Sequence, residues 1–547
     1  MRGCTAESDK GSVCAIIDHV TPFDTMSRAG GTDIKRGLVL FTFLMVVYVA
    51  NGDYLPGNDA KGNLYVAVNL LNHRALSFAP RDFPFMFTWK YKDQAAIKKN
   101  APLSELIRSG VVEVDQPSYY LARGAREGVY VSAFGFGSGM VAVPAFALLK
   151  LSGRDPASHL AYLWYGGKVV ASTLVAASAV LVFLAAAEFC ATGSALLIAL
   201  AYGLGTSVWS ISSQTLWQHG ANEFFLALGA LFLIRSRHRQ HTSVLWCGAA
   251  LGSAVLCRPT SMAVVLAIGA YLLIVDRRAF PKFVLGGLPF AVALLVYNWH
   301  YLGSPFSFGE TGAGGAQIAL AKTGRPELWQ TPLLEGALGL LVSPSRGLFV
   351  FSPFLVLGLP SFYRLFRDAR FRVLIPLIAG AVGMMLIAFK WFDWWGGWCF
   401  GYRPLVDTMP LVILLFIPII SGILARPVLR AIFVLLLLWS IGAQVIGAYA
   451  YDLTEWNGGH HRPPLYEVTL ADRTTYLLAA NDDRDALRQV RGLEAISLIQ
   501  KREDIDRPEF RYRLWSVSDS QLIYYFHNFR ASRRAKEELI ETHLKYP

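Results

Sequence analysis

Apolar residues along this chain gather into long runs separated by short polar stretches, and the runs recur from Gly37 to Ala450. A bilayer core takes roughly 20 consecutive apolar residues per helix, so the pattern predicts membrane-spanning helices rather than an amphipathic soluble fold. The expected spans lie near 38–50, 167–190, 193–211, 220–234, 243–257, 260–275, 283–299, 347–363, 373–389, 404–424 and 430–450. A further apolar stretch, 130–151, is broken by Gly135, Gly137, Gly139 and Pro144, which suits a span and a re-entrant or surface-lying segment equally.

Charge decides the parity. The clusters Arg235 to Arg239, Arg277 to Lys282, Arg364 to Arg372 and Arg426 to Arg430 carry twelve Lys and Arg against two acids, Asp276 and Asp368. If 130–151 does not cross, all four fall on the cytoplasmic side, as basic loops do; an extra crossing reverses every one. The expectation is therefore an all-α polytopic membrane protein of about eleven spans. Residues 1–36 form a cytoplasmic tail, 37–450 the membrane domain, and 451–547 a small extracytoplasmic region. Two long extracytoplasmic loops, 51–128 and 300–346, belong to the membrane domain.

Composition agrees with that reading. Hydrophobic residues make up 54% and the net charge is +12, but because the basic residues sit in inter-span loops, nucleic-acid binding is excluded. The six cysteines show no CxxC pair and no zinc spacing. Cys257 and Cys399 both fall near the expected outer face, where pairing competes with plain packing roles.

The candidate chemistry lies at the same outer boundary. Asp59 follows a turn punctuated by Gly52, Pro56 and Gly57; it is a candidate general base, its pKa raised by burial near lipid, or a helix cap. Arg403 opens the span at Pro404, a helix amino terminus where a cation wants an anion: either Asp407 one turn on, or a phosphate gripped by the guanidinium fork. Arg346, in Ser343-Pro344-Ser345-Arg346-Gly347, precedes another helix start and is a second candidate for phosphate. His219 and Arg258 stand at two more boundaries. Glu310, in the second long loop, lies in a segment suited to closing over substrate. The run from Lys390 to Trp398 holds Trp391, Asp393, Trp394, Trp395 and Trp398, and its indoles suit either an interfacial belt or contact with a sugar or prenyl chain.

Taken together these motifs resemble the GT-C glycosyltransferases, in particular the bacterial relatives of protein O-mannosyltransferases and lipid A aminoarabinose transferases. The resemblance covers roughly 37–450. It rests on Asp59 in the first loop, Ser213-Gln214-Thr215-Leu216-Trp217-Gln218-His219, Tyr297-Asn298, Gly303-Ser304-Pro305, Ser343 to Leu348, Trp395-Gly396-Gly397 and Gly401-Tyr402-Arg403. It implies a GT-C-like bundle in a bacterial plasma membrane and a polyprenyl-phosphate sugar donor. Transfer would run with inversion to an extracytoplasmic glycan, lipid or protein acceptor, with Asp59 as base, Arg403 and Arg346 on the donor phosphate, and His219, Arg258, Glu310, Asp393, Trp394 and Trp395 as substrate contacts. No cofactor is assigned. The chain lacks an adjacent acidic pair at Asp59, and a divalent ion favours several oxygen ligands. Two other classes stay open: a lipid or glycan transporter, which needs ionisable groups near the midplane, and a non-catalytic scaffold.

Overall fold

A computed structural model describes residues 31–92, 103–237, 241–462, 465–470, 475–479 and 495–545. The amino-terminal tail expected over 1–36 falls almost wholly outside them. The described residues are mostly helical, and among them four helices are long and apolar enough to cross a membrane: Leu160–Ala187, Phe280–Leu302, Ala369–Lys390 and Pro427–Ala450. Shorter apolar helices, among them Thr192–Gly205 and Thr242–Cys257, pack between them. Large apolar side chains such as Leu266, Trp299, Leu386 and Leu435 stay exposed along the helices, the surface expected of a protein whose solvent is lipid.

Two expected spans are broken. Residues 347–363 fold as Leu348–Phe351, the 3-10 segment Pro353–Gly358 and the start of Ser361–Arg367. The 404–424 stretch alternates between 3-10 and α-helix from Arg403 to Ala425. Pro353, Pro360, Pro404, Pro410 and Pro418 account for the interruptions, because each removes a backbone donor and crowds the preceding turn.

Small residues set the closest helix contacts. A Cβ on Gly248 would lie 2.0 Å from the Phe283 carbonyl oxygen, and one on Gly286 would lie 1.9 Å from that of Leu245. The His241–Cys257 and Phe280–Leu302 helices thus touch backbone to backbone, the packing small residues permit in membranes.

The first long loop is ordered around the helix Asn58–His73. Beyond it, β1 (Ser77–Phe78), β5 (Tyr130–Ser132) and β4 (Leu121–Arg123) form an antiparallel sheet in the order β1-β5-β4, with Ser77 opposite Val131 and Leu121 opposite Ser132. A second pair, β2 (Phe87–Tyr91) and β3 (Val112–Pro117), shifts register between Thr88 and Trp89. The stretch after β5 forms two short helices, Gly137–Met140 and Val143–Leu151. At 1.5 Å per residue these reach roughly 22 Å, short of a ~30 Å hydrocarbon core. Gly135 and Gly137 rest against the backbone of Leu256 and Cys257, so the glycines that break the run serve a close approach.

The carboxyl-terminal region folds back onto the bundle instead of standing apart. Its sheet has the order β7-β6-β8, from Thr475–Ala479, Leu465–Leu470 and Ala495–Lys501. On its last helix, Phe529–Lys545, the Lys536 side chain is buried and bonds Asp53 Oδ1 at 3.0 Å and the Ala448 carbonyl at 2.8 Å. Asp53 therefore anchors the tail, together with Asn51, whose amide donates to the same carboxylate at 2.6 Å. Lys168, which the hydropathy pattern puts at a span end, is buried beside them against Asn51 and Gln214.

Candidate functional site

Where several helix ends meet, the chain encloses a cavity of about 660 Å³. Asp59, His219, Arg258, Glu310, Asp393 and Arg403 all line it. Six residues singled out in sequence, from distant segments, thus share one space. Arg346, Trp394 and Trp395 do not line it.

Asp59 sits in the first turn of its helix. Its carboxylate receives Arg403 Nη1 at 2.5 Å on one oxygen and the Tyr119 hydroxyl at 2.5 Å on the other. Arg403 also donates from Nη2 to the Gly396 carbonyl at 2.7 Å, and its guanidinium lies 4.3 Å above the Trp217 ring. Burial alone would raise the Asp59 carboxyl; the Arg403 charge, the Tyr119 and Arg403 hydrogen bonds and the more distant Lys322 outweigh it and hold it below the usual carboxylate range. The sequence expectation of a raised pKa is therefore reversed, because burial here comes with a cation attached.

Asp407 is not the partner of Arg403. Residues 403–408 form a 3-10 turn, with three residues per turn, so the fourth residue on is rotated away from the first. Asp407 instead pairs with Arg258 and lies 3.1 Å from His219 Nδ1; Asn222 Nδ2 donates to its other oxygen at 3.1 Å. Asn222 is fixed in turn by the Ser261 hydroxyl at 2.7 Å. This second centre is deeper than the first: the Asp407 side chain is 2% exposed against 24% for Asp59.

Glu310 comes from the short turn Gly309–Thr311. Burial raises its carboxyl, with Asp59 adding to the rise, against the lowering pull of Arg258, Gln218 and Arg403. Asp393 is held by Lys322 Nζ at 2.6 Å and accepts from the Gly397 amide at 2.9 Å. One wall of the cavity is apolar, made of Met384, Leu386, Ile387 and Ala388 near the end of the Ile375–Lys390 helix, with Lys390 and Trp391 beyond them.

Arg346 has a different job from the one its motif suggests. It is fully buried, and all five guanidinium donors are used inside the protein. Nε bonds the Trp395 carbonyl at 2.8 Å. Nη1 bonds the Ser345 carbonyl and Gln521 Oε1, each at 2.9 Å; Nη2 bonds the Gly397 carbonyl at 3.3 Å and Asn457 Oδ1 at 3.0 Å. No donor is left for a phosphate. Trp394 and Trp395 are buried likewise, their indole N–H groups given to Glu335 at 3.2 Å and Asp506 at 2.9 Å. The indoles that do face the cavity are Trp217, Trp329 and Trp391. Cys257 and Cys399 are both free thiols, and among the described residues no cluster of three or more His, Cys, Asp or Glu is arranged to hold a metal.

Sequence reading missed Asn63 and Gln218, which complete the cavity's polar surface, Tyr119, which donates its hydroxyl to the cavity-lining Asp59, and Glu223, buried in the Gln218–Ser236 helix, where it accepts from Ser212 Oγ at 2.5 Å. Tyr119 sits in a loop with nothing in its neighbours to single it out. Gln218 was within reach, since it adjoins His219 in a motif already noted. Compared with known proteins, the chain matches no family model and no curated protein.

Proposed function

We propose that this chain is an inverting membrane glycosyltransferase that moves a sugar from a polyprenyl-phosphate donor to an extracytoplasmic glycan, lipid or protein acceptor. The observation that carries the reading is the Asp59–Arg403 pair in a cavity that is also lined by the apolar Met384, Leu386, Ile387 and Ala388. A polyprenyl phosphate is itself an apolar chain ending in an anion. Arg403 offers that phosphate a fork of charged donors, and Leu386, exposed as well as cavity-lining, marks a side on which the chain can lie.

The pair then supplies a sequence of events. A donor phosphate competes for Arg403, which frees Asp59 from its strongest partner and makes its carboxylate more basic. Asp59 accepts the proton of the acceptor hydroxyl or amine as that atom bonds to the anomeric carbon. The bond from the anomeric carbon to the phosphate oxygen breaks, its electrons stay on the phosphate, and Arg403 meets the charge as it grows. Arg258, His219 and Asp407 form a second polar centre in the same cavity.

In purified protein reconstituted with sugar-bearing polyprenyl phosphate, Asp59→Asn should cut transfer by about 10²- to 10⁴-fold while lipid binding persists. Turnover near the unmodified rate would remove Asp59 as base. The eleven-span arrangement puts the cavity outside: a cysteine at Glu310 should react with an impermeant reagent in intact cells and one at Arg237 should not. Reaction at the Arg237 position would reverse the topology. A transporter is the second reading, favoured by the buried Glu223; it would lose flux in Glu223→Gln and show no covalent transfer.

A further inference from the structure

Four buried polar atoms on cavity-lining side chains have no hydrogen-bond partner among the described residues: Asn63 Oδ1, Trp217 Nε1, Gln218 Oε1 and Arg258 Nε. Asn63, Trp217 and Gln218 are each more than nine-tenths buried. An atom left so forfeits its hydration without recompense; thirteen are found among the described residues, and the gathering of four of them on side chains around one cavity calls for a partner that arrives from outside.

Their chemistry describes the partner. Two are carbonyl oxygens, which accept; two are N–H groups, which donate. A sugar hydroxyl does both at once, so adjacent hydroxyls on a ring suit this mixed set, whereas a phosphate suits only the donors and an alkyl chain none. The atoms are also in the right place. Asn63 lies one helical turn from Asp59 on the Asn58–His73 helix, at the i, i+4 spacing that puts both on one face. Trp217 carries Arg403 over its ring. One of the side chains is held by its other contact: Asn63 Nδ2 donates to the Leu216 carbonyl at 3.1 Å. Asn63 is thereby fixed with its oxygen, not its amide, unpaired.

We infer that Asn63, Trp217, Gln218 and Arg258 form the subsite that holds the sugar ring of the donor beside the phosphate-binding Arg403, with Arg258 reaching it from the second polar centre. This rests on the transferase reading and deepens it by assigning specificity to side chains that make no contact with the phosphate. Asn63 and Gln218 read hydroxyl positions by accepting, Trp217 and Arg258 by donating, and a sugar that lacks a hydroxyl at one of these points leaves the matching protein atom unpaired.

The test uses full-length protein and two probes: bare undecaprenyl phosphate, and the same lipid carrying one of a panel of hexoses and pentoses. Trp217→Phe keeps the ring beneath Arg403 and deletes only the N–H; Gln218→Leu deletes the amide. Unmodified protein should bind at least one sugar-bearing lipid more tightly than the bare one. Each variant should lose about 5- to 100-fold of that preference and keep its affinity for bare lipid, while Arg403→Gln should weaken both probes. If both variants hold the preference unchanged, or no sugar gains over bare lipid, the subsite is wrong and the transferase reading stands on Asp59 alone. If unmodified protein binds neither lipid, the transferase reading itself falls. Thermal unfolding of Trp217→Phe, which removes no internal hydrogen bond, guards against misfolding; should it unfold early, the Gln218→Leu result decides.

Discussion

Arg346 and Arg403 begin alike: each follows a glycine- or serine-rich turn and stands just ahead of a helix. In the fold they part completely. Arg346 is fully buried and spends five donors on five neutral oxygens from its own chain. Arg403 is 15% exposed in the cavity and commits two donors, one to Asp59 and one to Gly396. A phosphate can replace an ion pair at little cost, since one anion takes the place of another, but it cannot replace five hydrogen bonds fixed by the fold. An arginine able to bind ligand is therefore known by the partner it can release.

The largest expected effect breaks that comparison open. Arg346→Met takes a donor from five buried acceptors; Gln521 Oε1 and the Gly397 carbonyl keep the Gly401 and Cys399 amides, but each acceptor left bare costs roughly 1–3 kcal/mol, and the change unpins the Trp395–Gly397 turn from Gln521 and Asn457. It should fail to fold or unfold far below the unmodified protein in detergent. Arg403→Gln should unfold within a few degrees of it and keep only a small residue of transfer. The comparison fails if Arg346→Met folds normally and loses only donor affinity.

Much of the cavity was legible in the sequence because a membrane imposes a coarse order on the chain. Hydropathy and basic clusters assign segments to faces, and Asp59, His219, Arg258, Glu310, Asp393 and Arg403 were gathered by that rule alone. Arg346, Trp394 and Trp395 were gathered by it too, although their partners Asn457, Asp506 and Gln521 lie in a region whose docking no periodicity signals. The Asp407 pairing failed for a local reason, the 3-10 turn that Pro404 opens. Tyr119 and the unpaired atoms of Asn63, Trp217 and Gln218 were beyond reach, since a missing partner exists only in three dimensions.

The next effect concerns pH. A base works only when deprotonated, so activity is lost as pH falls through its pKa. In the ligand-free protein Asp59 faces Arg403 on one side and Tyr119 on the other, with Lys322 and Glu310 farther off, and its carboxyl lies below the usual range. The acid limb of kcat/KM, which reports the free enzyme, should therefore lie at lower pH than the limb of kcat, which reports the enzyme with Arg403 drawn to the donor phosphate. Arg403→Gln should move the kcat/KM limb upward, towards that of kcat. Coincident limbs in the unmodified enzyme would mean that Arg403 never leaves Asp59.

The smallest effect separates two tryptophans of one loop. Trp395 is 1% exposed; its ring meets Trp394 edge-on at 5.9 Å, lies 4.1 Å beneath the Arg511 guanidinium, and gives its N–H to Asp506. Trp391 is half-buried in the cavity wall, edge-on to Trp329 at 5.0 Å. Trp395→Phe keeps a ring in place and removes a hydrogen bond to a carboxylate, a loss of about 1.5–3 kcal/mol. That should lower the unfolding temperature and leave donor KM unchanged. Trp391→Ala removes an aromatic surface worth about 0.5–1.5 kcal/mol to a bound ring or chain, so donor KM should rise by roughly 2- to 10-fold with little change in unfolding. Measuring both quantities on both variants decides the matter. If Trp395→Phe raised KM and left stability alone, the pinned region would be part of the binding surface after all, and the buried indoles would belong with the cavity rather than with Arg346.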